Sequence, residues 1–439
     1  MQDISSEKTQ VILNSKSQTW SGEEISRKIL PSILDIGCSL MTSGADVNHV
    51  ERLLTQLGYA YNAKEMNVFV ITGCIIVTMT ISDGREYTQT RRIGPAEFDF
   101  YKLELLNKLC RSCRHVPLPP TELQARLKDI NSEKKLKSWS YVGSVLVVTA
   151  YTAFFGGTVA ETAVSAILAI ILCFLVQKLS QKTPNLIGFN FVASFFIGIV
   201  IAFCCKNVSF LTADSMTSGV IMTIIPGLAL TNSIRDMLSG DTLAGLMRFC
   251  ESLLWTAAMV FGFMVAFSVL GLTVHTNIPV ASWELKLVMV IPATLGLLLC
   301  NNSRRALMIF GLVGSLLTFI AYIYCEQTFH NNEFLCVCLA SFVAAIFSEV
   351  VAKKKHVPTA VFFFAAVMPM IPGRLLFSTV NNLAQAQWDA AASTGHTVAM
   401  TVLGISTAIC VVWTISRTWQ NFHVNERIEK MIHSSEGAK

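Results

Sequence analysis

Residues 222–241, MTIIPGLALTNSIRDMLSGD, gather groups that could handle a polar solute. Pro226 and Gly227 interrupt a long apolar run, Ser218 to Leu230, and Thr231, Asn232, Arg235 and Asp236 follow at once. Proline removes a backbone N–H, and its ring crowds the carbonyl four residues earlier, that of Met222. The adjacent glycine tolerates an unusual backbone angle. In lipid a freed carbonyl is costly unless something bonds it. Such a break persists where it faces protein or a wet cavity, and its half-helix ends can then bind a solute. The dipeptide Pro-Gly occurs only once more, at Pro372-Gly373, 146 residues later. Arg374, Ser378, Asn381 and Asn382 follow it, and Met368 precedes it as Met222 precedes the first copy. A plain proline kink competes for either copy alone. Two copies at matching places favour a solute site.

Asp214, Arg248, Glu251 and Glu349 also sit in or beside apolar runs, where ionisable groups usually face the bundle interior. Arg248 and Glu251 are spaced to pair on one helix face, and Glu349 lies one turn from Lys353. A coupling proton needs a carboxylate held in the core, and Glu251 is the candidate.

The segment SGADVNHVE, residues 43–51, offers Asp46, His49 and Glu51. His titrates near neutral pH, so acid–base catalysis is one reading. Capping a helix is a sufficient task for Asp46. On that helix Glu51 points well away from His49, two steps of about 100° each. The sequence has no H-E-x-x-H, G-x-S-x-G or P-loop, which argues against a zinc peptidase, a serine hydrolase and an ATP-driven pump. Cys110-x-x-Cys113 with His115 lacks a second pair to complete four zinc ligands, and its spacing fits one helix face. No metal or cofactor is expected.

These groups need elements to hold them. Of 439 residues, 52% are hydrophobic and 14% charged, against about 25% charged in a soluble chain. Residues 1–138 carry 18 Lys/Arg and 16 Asp/Glu, and the remaining 301 carry 16 and 13. The first third reads as a soluble domain of near-neutral charge with no sign of nucleic-acid binding, and the rest as membrane. Residues 1–20 have no apolar core or cleavage site, which places the soluble domain in the cytoplasm. The thirteen cysteines fall largely in apolar runs, as small hydrophobes do.

A crossing helix needs about 20 apolar residues. Candidates are 140–156, 160–177, 186–205, 211–231, 243–271, 284–300, 306–325, 333–351, 357–380 and 396–416. With the soluble domain inside, inner loops carry Lys178, Lys182, Arg235, Arg304, Arg305 and Lys353 to Lys355. The outer side carries only Lys206 and Lys286, as the positive-inside rule expects. The C-terminal tail (Arg417, Arg427, Lys430) is then also inside. The two Pro-Gly breaks fall in the fourth span of each half, and an odd number of spans per half inverts the second. The predicted fold is an all-α polytopic membrane protein with ten transmembrane helices as two inverted five-helix repeats, preceded by an N-terminal α+β cytoplasmic domain. The expected segments are a disordered tail 1–23, the soluble domain 24–138, membrane modules 139–272 and 283–418, and a cytoplasmic tail 419–439.

In the soluble domain Ile25, Ile29, Ile33, Ile36 and Leu40 share a helix face, with Pro31 as a kink or a start. Gly44 suits a C-terminal cap, and Asp46 caps a second helix to about Leu57. Strands Met66–Ile71, Cys74–Ile81 and Arg85–Ile93 meet at Thr72-Gly73 and Asp83-Gly84. Helices follow at about 97–113 and 121–137.

SGADVNHVE, the VFVITGCIIVTMT hairpin with TRRI behind it, and IIPGLALTNSIRDMLSGD together resemble the bacterial threonine/serine exporter family. MPMIPGRLLF resembles the family's second module, and the likeness spans about residues 24–418. It implies a cytoplasmic-membrane exporter of threonine and serine, with both modules fused. In relatives whose modules are separate chains it implies succinate export. The motif positions are Ser43, Gly44, Ala45, His49, Val50 and Glu51, of which Ser43, Gly44, His49 and Glu51 are the gating candidates; the domain is expected to gate the inner mouth or to mediate assembly. In the membrane they are Pro226, Gly227, Thr231, Asn232, Arg235, Asp236, Gly240 and Asp241, then Pro372 and Gly373. His49 stands where the resemblance leads one to expect Arg. Substrate between the two breaks would meet Thr231, Asn232 and Asn382 through neutral groups, and Arg235 and Arg374 through charge-assisted hydrogen bonds. A dicarboxylate would want both arginines. A passive channel and a membrane enzyme with a catalytic soluble domain stay open, as do proton coupling and a homo-oligomer.

Overall fold

The structure is a computed structural model that describes residues 20–94, 97–133, 137–179, 185–272, 281–329 and 332–436. Residues 1–19 of the expected tail, Lys182 and residues 437–439 lie outside the described residues.

The chain enters through a capping box, in which Ser21 and Glu24 satisfy each other's backbone N–H. A π-helical turn, Ile25–Ile29, then leads into α1, Leu30–Thr42. The wider turn admits Pro31, which has no N–H to give, so the helix neither starts nor stops there. Ile25, Ile29, Ile33, Ile36 and Leu40 are all buried, as their spacing requires. Asp46 caps α2, Val47–Ala60, accepting from the His49 N–H at 2.9 Å. Strands β1 (Ala63–Ile71), β2 (Cys74–Ile81) and β3 (Glu86–Arg92) form an antiparallel meander in that order. Ile75, Val77, Met79 and Ile81 of β2 alternate onto the buried face, where β2 packs on α1 and β1 on α2. Helices α3 (Phe100–His115) and α4 (Pro120–Ser132) close this core.

The remaining helices are α5 (Lys137–Phe154), α6 (Val159–Leu179), α7 (Leu186–Asn207), α8 (Ala213–Ile224), α9 (Gly227–Leu238), α10 (Thr242–Val269), α11 (Trp283–Cys300), α12 (Arg305–Thr328), α13 (Glu333–Lys355), α14 (Thr359–Val367), α15 (Gly373–Ala384) and α16 (Trp388–Glu436). Seven of the described helices are long and apolar enough to cross a membrane, and up to nine spans result if α8–α9 and α14–α15 each count as one bent span. The α5 helix falls short of that test. The chain is thus a polytopic, mainly helical membrane protein. The fourth predicted span does not end at 231. Thr231 to Asp236 continue the helix to Leu238, because these polar side chains face buried partners rather than lipid. The last helix begins at Trp388 and runs through the expected tail to Glu436.

The pairing of helices follows one scheme twice. The α7 helix packs on α10 as α13 packs on α16, and α9 packs on α10 as α15 packs on α16. Helices α5 and α11 run against each other at a glycine pair. A Cβ on Gly143 would lie 2.6 Å from the Gly296 carbonyl oxygen, and one on Gly296 equally close to that of Gly143. The N-terminal helices α1 to α4 and their sheet dock on one end of the bundle. There the N–H of Phe100 donates to Asn301 O at 2.9 Å, Arg304 pairs with Glu104 at 3.1 Å, and Asn48 donates to Asp241 at 2.5 Å.

Candidate substrate site

The two Pro-Gly breaks adopt one geometry. Pro226 has φ −80° and ψ 44°, and Pro372 has φ −80° and ψ 45°. The helices bend there by 51° and 55°. Downstream bonds repeat as well: Leu230 N–H to Pro226 O and Leu376 N–H to Pro372 O are both 2.9 Å. So are Asp241 N–H to Asp236 O and Gln387 N–H to Asn382 O. The breaks face each other crosswise. A Cβ on Gly227 would meet Ile371 Cγ2 at 2.5 Å, and one on Gly373 would meet Ile225 Cγ2 at 2.8 Å. Only glycine lets these elbows close on one another. The Met368 carbonyl freed by Pro372 accepts from the Tyr151 hydroxyl at 3.2 Å.

Beside the second break lies a cavity of about 370 Å³, within the range of small-molecule sites. Arg374, Lys286, Glu333, Tyr322 and Thr401 line it, with Tyr151 at the freed carbonyl. Lys286 Nζ sits 4.4 Å from the Trp283 ring centre, and the Arg374 guanidinium 5.1 Å from that of Phe155. Both cations are therefore held over aromatic faces. Tyr322 and Thr401 hydroxyls each reach Glu333 at 3.4 Å. The cavity thus combines two cations, one carboxylate and hydroxyl donors.

The first break leads to a buried charge cluster. Asp236 accepts from Arg235 Nη2 at 2.9 Å on one oxygen and from Arg248 Nη1 at 2.8 Å on the other. Arg235 stacks on Trp413, 5.4 Å from the ring centre. A second cavity of about 220 Å³ opens here, lined by Arg235, Asp236, Ser239 and Trp413 together with Asp46 and Asn48 at the start of α2. Burial pushes the Asp46 carboxyl up, but the Arg235 guanidinium, with His49 and Arg52, holds it below the ordinary carboxylate range.

Other predicted residues have separate places. Thr231 Oγ1 donates to Gly227 O at 3.0 Å, and its carbonyl accepts from Ser406 at 3.2 Å. Asn232 and Asn382 are buried, and Asn382 Oδ1 has no hydrogen-bond partner. Arg235 and Arg374 line separate cavities. Arg248 turns to Asp236 rather than to Glu251, which is exposed and lines none of these cavities. The expected pair fails because the buried Asp236 gives Arg248 a better acceptor than an exposed side chain three residues on. Glu349 does pair with Lys353 at 3.3 Å.

In the domain, Ser43 Oγ donates to Ser39 O at 2.7 Å. Gly44 takes φ +99°, where any side chain would also strike Phe98. Asn107 Nδ2 donates to Leu103 O at 2.8 Å, so its Oδ1 accepts from His49 Nε2 at 2.7 Å. That leaves His49 Nδ1 to accept from Arg52 at 2.9 Å. Glu51 accepts from the Val70 N–H at 3.0 Å, and burial raises its carboxyl. Cys110 and Cys113 sit in the core, where burial pushes the Cys110 thiol up to about 12, and no metal-binding cluster occurs among the described residues. Lys286, Glu333, Tyr322 and Thr401 escaped the sequence reading as site residues. Lys286 entered that reading only as an outer-side charge.

A family model described as a threonine/serine exporter matches residues 32–270, and a second, "Threonine/Serine exporter, ThrE", matches residues 286–415. The Klebsiella aerogenes protein named "Probable succinate transporter subunit YjjP" is 24% identical over 248 residues, which cover 54% of this chain and 93% of that protein. The Escherichia coli K12 protein of the same name is 22% identical over 256 residues, 57% of this chain and 97% of that protein. No solved structure matches.

Proposed function

This chain belongs to the threonine/serine exporter family, and on that premise we propose that it carries threonine and serine out of the cell through a site at the second helix break. The carrying observation is the cavity where Arg374 and Lys286 face Glu333. A zwitterion fits that set: its carboxylate pairs with the cations, its ammonium with Glu333, and its side-chain hydroxyl with Tyr322 or Thr401. Two cations together also suit a dicarboxylate, which keeps succinate, named in the YjjP relatives, as the second reading. The Glu333 carboxylate in the cavity wall favours the amino acid.

The proposed architecture is ten spans in two inverted repeats, with α5 as the first span. Support comes from the matching backbone angles and the crosswise glycine contacts of the breaks. The docked domain supports it too. It touches the 239–241, 301–304 and 356–358 connections, which a ten-span path puts on one side together with Arg304, Arg305 and Lys353 to Lys355. On this reading residues 24–138 form a cytoplasmic α+β domain, residues 139–272 and 283–418 are the two modules, and both termini face the cytoplasm. The crossed breaks form the barrier, and one module rocks against the other for alternating access. Counterflow in proteoliposomes with labelled threonine, serine and succinate, with and without a proton gradient, tests the function. Threonine and serine exchange is the expected result, and exchange of succinate alone would replace the reading.

A further inference from the structure

The Arg235 guanidinium carries an unexplained donor. Its Nε and Nη2 bond Asp236, yet Nη1 is buried with no hydrogen-bond partner, and the side chain is only 3% exposed. A buried, unsatisfied N–H group in a native fold calls for an explanation, since leaving one unmade costs about 1–3 kcal/mol. Asp236 does not supply the missing acceptor: its Oδ1 accepts from Arg235 Nε and Nη2, and its Oδ2 from Arg248. The same guanidinium lines the 220 Å³ cavity, whose opposite charge comes from Asp46 at the start of α2. Asn48, Ser239 and Thr414 add polar groups to the wall. Arg235 lies about 12 Å of helix beyond the break at Gly227, while Arg374 lies directly after the break at Pro372. The crossed elbows of Ile225, Gly227, Ile371 and Gly373 therefore stand between the two cavities.

We propose that the 220 Å³ cavity is a second, inner station for a zwitterionic α-amino acid, which binds its carboxylate at the Arg235 guanidinium and its ammonium at Asp46. The soluble domain then contributes a substrate-contacting residue and does more than cover the bundle. The amino acid loads at this station from the domain side and passes the crossed breaks to the Arg374 cavity. A dicarboxylate is disfavoured here, because Asp46 and Asp236 oppose a second negative charge. This inference rests on the transport reading above.

Right-side-out and inside-out membrane vesicles separate the two faces, with labelled threonine as the probe. Asp46→Asn keeps the helix cap and Arg235→Gln keeps the Asp236–Arg248 pair. Each should raise the half-saturating threonine concentration about tenfold from the cytoplasmic face and leave the external face within about twofold. Arg374→Gln should weaken transport from both faces, since every substrate passes its cavity. A second measurement uses native protein: Cys410 also lines the cavity, so threonine should slow its alkylation by maleimide, read by mass spectrometry. That protection should persist in Arg374→Gln and vanish in Arg235→Gln. Equal effects of the Asp46 and Arg235 variants on both faces, or no protection of wild-type Cys410, would overturn the inner station while leaving transport itself intact. Absence of threonine flux in wild-type vesicles would instead remove the transport reading, and the station with it.

Discussion

Asp236 holds the charge cluster together, and its removal gives a measurable cost. Its side chain is 3% exposed, like that of Arg235, whereas Arg248 is 16% exposed. Asp236→Ala deletes the acceptor of three hydrogen bonds, at 3.3, 2.9 and 2.8 Å. Arg248 has some access to other surroundings, but Arg235 does not. Breaking a buried pair by deleting one partner costs about 3–5 kcal/mol, a large share of a typical 5–15 kcal/mol of stability. The assay is SDS-driven unfolding in mixed micelles, followed by tryptophan fluorescence. Adding Arg248→Ala to Asp236→Ala should cost less than Arg248→Ala does alone, since the two side chains share one interaction. Glu251→Gln serves as control and should change stability by less than about 0.5 kcal/mol, because Glu251 is exposed. A cost below about 1 kcal/mol for Asp236→Ala, or an equal cost for Glu251→Gln, would refute the assignment of Arg248 to Asp236.

Gly227→Ala should slow transport because its Cβ strikes Ile371, and Ile371→Ala in the same chain should restore part of the rate; vesicle flux in the single and double variants checks this. Gly143→Leu should prevent assembly by forcing α5 from α11, whereas Gly73→Ala, which meets nothing within 4 Å, should not; yield of monodisperse protein reports both. Asp46, with a lowered folded value, contributes stability that is complete above about pH 4 and lost as pH falls through that lowered value, so Asp46→Asn should flatten the acid limb of a stability–pH curve. Glu51 has the opposite sign: its raised folded value favours the protonated fold at low pH and loses that contribution as pH rises, so Glu51→Gln should gain more stability at pH 7 than at pH 4.

Features set by neighbouring residues were legible in the sequence. Asp46 caps a helix, Thr72-Gly73 turns a hairpin, and Pro-Gly breaks a helix through its own backbone chemistry. The pairing of the two breaks was legible because one dipeptide recurs in an otherwise varied chain. Side-chain partners across elements were not. The helix face shared by Arg248 and Glu251 allowed their pairing, but packing of α9 on α10 offered Arg248 the buried Asp236. Lys286, Tyr322, Glu333 and Arg374 come from four helices, and no spacing along the chain announces their convergence. The fourth span looked shorter than it is, since polarity normally marks an end, and here it marks a face turned to protein.

Density for bound substrate would test the site most directly. A cryo-EM map of the purified protein at saturating threonine should show the amino acid between Arg374, Lys286 and Glu333 or, in a state loaded from the domain side, against Arg235. Threonine held elsewhere, or both cavities empty at saturation, would contradict the account.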